Sequence, residues 1–190
     1  TALKDSLSDA RMSTYITRAG GNTERAFALY LYNARLAKSL LFPLSAVEVT
    51  LRNAVDKTLV KRYGNDWHKP GKFRDTILSE GGQSALNKAF ERAPNPGRGQ
   101  IIATLTFDFW SNIFREEYNA VWRSGIGIAF PNIPASHNRN DIQRRVKKVN
   151  KLRNRVAHHE PILGENISEI LSLLYEIIGY CSPEALAWVK

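Results

Sequence analysis

Hydrophobic positions along this chain recur every three or four residues, the period of a helix with one buried face. Ser8 to Ala19 reads as a first short helix, stopped by Gly20-Gly21. Thr23 is a good N-cap. The helix it opens is expected to reach about Leu41 and to end before Pro43, because proline lacks the N–H that a helix interior uses. Leu44 to Tyr63 forms a third helix with Gly64 as C-cap,. Asn65 to Arg74 reads as a loop, and Ser84 to Arg92 as a short helix. Pro94-Asn95-Pro96-Gly97-Arg98-Gly99 is the clearest break,. The helices on both sides are amphipathic and need partners, so this break is a loop inside one domain spanning residues 1–190. Gln100 to Tyr118 is aromatic-rich and helical, and Gly125 to His137 is a loop. Asp141, after Asn138, starts a long helix to about His159, ended by Pro161 and Gly164. Ile167 to Cys181 follows as a core helix, and Pro183 to Lys190 as a short tail. The pattern predicts an all-α protein without internal repeats.

Two apolar stripes carry a charge each. With successive residues ~100° apart, Ile142, Val146, Val149 and Val156 line one face of the long helix. Arg153 falls ~20° from Ile142 on that face. A guanidinium cannot lose its charge to suit a core, so it must snorkel, pair with a carboxylate or line a cleft. In the third helix, Leu44, Val47, Leu51, Val55 and Leu59 form the stripe, and Glu48 lies about 40° from Leu44. The two helices are therefore expected to pack together with Glu48 near Arg153. Arg52, four residues from Glu48, is the competing partner. Such a pair either fixes packing alone or orients an arginine at the rim of a cleft.

Charge sharpens this picture. The chain of 190 residues carries 27 basic and 18 acidic residues, a net charge of +9, which favours polyanionic partners,. Arg139, Arg144, Arg145, Lys147, Lys148, Lys151, Arg153 and Arg155 lie in one stretch, opposed locally only by Asp141. That stretch is either a solvated helix face or a phosphate-binding surface. No apolar run approaches the ~20 residues needed to span a bilayer, and the start, Thr1-Ala2-Leu3-Lys4-Asp5, is too polar for a secretory signal,. Cys181 is the one cysteine, so no intrachain disulfide forms, and a reducing cytoplasm is the expected compartment.

The basic stretch runs into Arg153-Asn154-Arg155-Val156-Ala157-His158-His159-Glu160-Pro161. A permanent cation, an amide and two imidazoles can hold a phosphodiester and move protons around it without a metal. On an ideal helix Arg153 and His158 stand ~140° apart. They converge only if the helix end is distorted, if the arginine reaches round, or if a second subunit supplies half the site. A metal site is the rival chemistry, but His158, His159 and Glu160 cannot all point inward from one helix. No His-Glu-x-x-His or cysteine pair is present,. Tyr30, Tyr32, Phe107, Phe109, Trp110 and Phe114 either stack on bases or fill the core, and their helical spacing favours the core,.

At these residues the sequence resembles Abi-like (abortive infection) proteins of the HEPN superfamily. The superfamily motif, Arg-x4-6-His with a polar residue after the arginine, matches Arg153-Asn154-x3-His158. A second match, Arg62 to His68, straddles Gly64 and lacks the polar follower. The family's Ala-Leu-x-Leu-Tyr-x-x-Asn-like helix is similar to Ala26–Asn33, AFALYLYN, and its Glu-Val-x-Leu-Arg-Asn to Glu48–Asn53. Its Leu-Thr-Phe-Gly-x-Trp segment is similar to Leu105–Trp110, with Asp108 replacing the usual glycine. That departure bears on the local backbone.

The resemblance implies a HEPN-type helical bundle with additional helices, often dimeric. It also implies a metal-independent endoribonuclease of a toxin-type antiviral defence system, restrained by an antitoxin protein or noncoding RNA. No cofactor is expected. The RNA's own 2′-hydroxyl would attack, with His158 as general base or acid and Arg153 stabilising the phosphate charge. Asn154 would orient His158 or bond the phosphate, and Glu48 would hold Arg153. His159 would be either a second acid or base, or a cap of the helix end. Arg52, Arg144, Arg145, Lys147, Lys148, Lys151 and Arg155 would bind the RNA. The alternative is a non-catalytic RNA-binding or toxin-partner module using the same basic helix.

Overall fold

The structure, a computed structural model, describes residues 2–92 and 97–190. It is 75% helical, and no strand occurs among the described residues. The protein is all-α, as its periodicity predicts. The helices run α1 (Ala2–Leu7), α2 (Asp9–Arg18), α3 (Thr23–Tyr63), α4 (Glu80–Glu91), α5 (Arg98–Thr104) and α6 (Phe107–Asn112). They continue as α7 (Asn119–Trp122), α8 (Ile126–Ala129), α9 (Arg139–Ala157), α10 (Ile167–Cys181) and α11 (Pro183–Val189).

Helix α3 departs most from expectation. Its cap is Asn22, whose side chain accepts from Arg25 N at 2.8 Å, so Thr23 is already helical. It then continues for 41 residues straight through Pro43, a rod of about 60 Å at the α-helical rise. An internal proline costs ~3 kcal/mol, because position 39 loses its donor. Two features offset this. Ser39 is exposed, so solvent can satisfy the freed carbonyl, and Pro43 is buried between Leu40, Leu44 and Val47. Helices α2, α6, α8, α9, α10 and α11 all pack on this rod, so tertiary burial outweighs the local break,. Gly64 ends it at φ 85°, where a Cβ would be strained,.

The core forms where the α3 stripe, Leu44 to Leu59, meets Ile142, Val146, Val149, Leu152 and Val156 of α9 and Leu174, Ile177 and Ile178 of α10, all buried. Phe107, Phe109, Trp110 and Phe114 join this core, stacked among Trp67, Trp122 and Phe130. Tyr30 is half-buried and Tyr32 exposed. A smaller cluster of Met12, Tyr15, Ala19 and Ala26, with Leu163 against it, docks the N-terminal helices on α3.

Other boundaries shift for local reasons. The expected helix from Gln100 to Tyr118 breaks into α5, α6 and a 3-10 turn, Glu116–Tyr118, because Leu105 and Thr106 are extended. The expected loop from Asn65 holds a π-helical turn, Lys72–Ile77. Ser79 caps α4 four residues earlier than expected, accepting from Gly82 N at 3.3 Å. The loop from Gly125 contains α8, and the tail is a helix, capped by Ser182 with Pro183 in its first turn,. Of the break at residues 94–99, Pro94, Asn95 and Pro96 lie outside the described residues.

Candidate functional site

Helix α9 starts with a capping box. Asn138 accepts from Asn140 N at 2.8 Å, and Asp141 accepts from Asn138 N at 2.9 Å,. The backbone bond from Asn138 does most to hold the Asp141 carboxyl below its usual range, followed by the pairing with Arg144. At the other end the helix closes in a Schellman turn: Glu160 N donates to Arg155 O at 2.8 Å, and His159 N to Val156 O at 3.2 Å,. The residue in the left-handed position of that turn is His159, at φ 56°. Glycine normally sits there, and a Cβ costs about 1 kcal/mol. The helix end is thus distorted right at the two histidines.

Arg153 meets Glu48 across the α3–α9 interface. Its Nε donates to Glu48 Oε2 at 3.2 Å and its Nη2 to Oε1 at 3.5 Å. Both side chains are about three-quarters buried, at 30% and 23% exposure. Arg52 does not take this carboxylate, and its Nε is buried without a partner. Arg153 Nη1 also donates to Asn154 Oδ1 at 3.3 Å. Asn154 Nδ2 in turn donates to Asp108 Oδ1 at 3.3 Å, an oxygen that also accepts from Asn150 Nδ2 at 2.7 Å. Asp108 is therefore part of the network. Asn150 and Asn154, four apart on one face of α9, were the signal that a carboxylate stood opposite.

Two clefts flank this helix end. One, of about 360 Å³, is lined by Glu48, Arg52 and Arg153 with Leu41, Val49 and Val156. The other, of about 260 Å³, is lined by Tyr15, Tyr30, Lys38 and His159. Leu41 and Val156 border both. His158 is the C-cap of α9, exposed, and lines neither cleft. Arg153 and His159 therefore open on different sides of one wall, and His158 lines neither cleft.

The basic run meets more carboxylates than its local sequence suggests. Arg145 pairs with Glu176 at 2.9 Å, Lys148 with Glu169, and Lys151 with Glu165 at 3.7 Å. Arg155 pairs with Glu165 at 3.1 Å and donates to Pro161 O at 3.0 Å. Arg144 pairs with Asp141. Much of the run is thus a zipper against α10 and the segment before it, because the next helix brings carboxylates that local counting misses. Arg145, 16% exposed, is also bonded to His137. Arg155 clamps the helix end. Arg144, Lys148 and Lys151 stay more than half exposed, and Lys147 is exposed.

No protein-family model matches the chain, and neither does any curated protein or solved structure. Among the described residues, no three His, Cys, Asp or Glu side chains gather as metal ligands. No described helix is long and apolar enough to cross a membrane. The second Arg-to-His spacing has a different setting: His68 is buried against Phe90, and Arg62 bonds Ser124 and the Ala120 carbonyl.

Proposed function

We propose that this chain is a metal-independent endoribonuclease of the Abi-like HEPN type, acting as a toxin in a cytoplasmic antiviral defence system. One observation carries the reading. A two-point carboxylate grip holds an arginine in the lining of a cleft, five and six residues before two histidines on a distorted helix end. Arg153 stabilises the charge on the non-bridging phosphate oxygens. One imidazole takes the proton of the 2′-hydroxyl, and O2′ bonds to phosphorus. The bond from phosphorus to O5′ breaks, and a second imidazole, as imidazolium, protonates the leaving oxygen. The products are a 2′,3′-cyclic phosphate and a 5′-hydroxyl.

A homodimer completes the site. Arg153 lines one cleft, His159 the other and His158 neither, so a second copy supplies the missing half. Leu41 and Val49, at 57% and 39% exposure, form an apolar border to the Arg153 cleft that suits such a contact,. Exposed ion pairs are worth no more than about 1 kcal/mol, so Arg144, Lys148 and Lys151 can exchange carboxylate for RNA phosphate, joined by Lys147 and Arg52. An antitoxin protein or noncoding RNA would restrain the site.

The test is cleavage of a long single-stranded RNA in excess EDTA by wild type, Arg153→Ala and His158→Ala. Wild type cuts, and both variants lose at least a hundredfold in rate, the scale of a lost oxyanion donor or general base. Loss of cutting in EDTA contradicts the metal-independent reading. His158, the expected proton-transfer group, lines neither cleft, which favours one second reading, a non-catalytic RNA-binding or toxin-partner module, which would bind RNA and never cut it.

A further inference from the structure

Three consecutive carbonyls after the helix end are each taken by a side chain from a different element. Arg11 Nη1 of α2 donates to His159 O at 2.6 Å. Asn33 Nδ2 of α3 donates to Glu160 O at 3.4 Å. Arg155 Nη1 of α9 donates to Pro161 O at 3.0 Å. The next residue closes the set, with Ile162 N donating to Asn33 Oδ1 at 2.7 Å. Asn33 is only 5% exposed, and this segment satisfies both ends of its amide.

We propose that Arg11 is a positioning residue of the site, acting with Asn33 through the backbone to fix His158 and His159. This rests on the reading of those imidazoles as the proton-transfer groups. Both are exposed, so the backbone beneath them sets where they point. That backbone includes a left-handed residue, which persists only where its surroundings hold it,. Arg11 is the hold that reaches in from outside α3 and α9. It is well anchored: Met12 and Tyr15 of the same helix are fully buried, and Leu163, just beyond the clamped segment, packs on their cluster. The N-terminal helices thus grip the histidine segment by a hydrogen bond at one end and an apolar contact at the other.

The experiment uses the full chain as wild type, Arg11→Ala and Arg11→Lys, with Asn33→Asp as a buried counterpart. Imidazole resonances are recorded without RNA, and kcat and KM are measured with a long single-stranded RNA. In Arg11→Ala the His158 and His159 ring signals move while those of His68 and His137 stay. The kcat falls about tenfold with KM within about twofold, the signature of misplacement rather than lost binding, and Arg11→Lys recovers part of it. Unmoved ring signals with kcat within about twofold of wild type would overturn the proposal. If wild type never cuts RNA, the ribonuclease reading fails by itself, and the ring signals still decide whether Arg11 sets the histidines.

Discussion

Glu48 on α3 and Arg153 on α9, 105 residues apart in sequence, share two hydrogen bonds at 3.2 and 3.5 Å across the α3–α9 interface. Each occupies a position that its own helix otherwise fills with an apolar side chain. Removing either partner leaves a mostly buried charge uncompensated. Glu48→Ala is expected to cost about 1–2 kcal/mol, less than a fully buried pair because both groups keep some solvent. A urea-unfolding cycle with Arg153→Met should return a favourable coupling, and a coupling near zero would mean that the pair is incidental to packing. Arg153→Lys should not restore the contact, since an ammonium cannot meet both carboxylate oxygens side by side.

His159 occupies the left-handed position of the α9 terminator. His159→Gly should raise unfolding stability by about 0.5–1 kcal/mol by relieving the Cβ strain, less the extra entropy of an unfolded glycine. His159→Ala keeps the strain and should not stabilise. If the glycine variant is also less active, the imidazole is kept there at the expense of stability, as occurs at functional sites.

Acid should loosen the start of α9. The Asp141 carboxyl is held below its usual range, first by the Asn138 backbone N–H and then by Arg144. A lowered carboxyl pKa contributes stability that is full above the unfolded value, near 3.9, and is lost as pH falls through the folded value. Wild-type stability should therefore drop from about pH 4 downward. Asp141→Asn should be weaker at neutral pH and fall less steeply over that range, as measured by urea unfolding at several pH values.

Asp108 accepts from both Asn150 and Asn154. Asp108→Gly, which restores the residue usual in the resembled family, should cost about 1 kcal/mol from two lost charge-assisted bonds on a half-exposed surface. It should also free the Asn154 Nδ2, while its Oδ1 still accepts from Arg153. Calorimetry reads this as a fall of a few degrees in Tm.

The parts of this structure legible in the sequence are those in which one period dominates. Ile167–Cys181 forms as the spacing predicts. The Glu48–Arg153 contact followed from two charges placed on two apolar stripes. Pro43 misled because its local cost is real, while the six helices packed on α3 act from a distance that no local window contains. The breaks at Leu105 and Thr106 were hidden because aromatic residues fill helix and turn alike. The Arg145–Glu176 and Arg155–Glu165 pairs were missed because their carboxylates arrive with the following helix. Arg11 carried no signal, because its partner is a backbone carbonyl, which every residue has; Asn33 stood at the end of the Ala26–Asn33 stretch, but its partners, the Glu160 carbonyl and the Ile162 N–H, are backbone groups that no pattern marks.

The most direct measurement compares a long single-stranded RNA with its fully 2′-O-methylated counterpart in EDTA, with the ends of the fragments identified. Attack by the RNA's own hydroxyl predicts that only the unmodified RNA is cut, leaving 2′,3′-cyclic phosphate and 5′-hydroxyl ends. Cleavage of the methylated strand, or fragments with 5′-phosphate and 3′-hydroxyl ends, would contradict it.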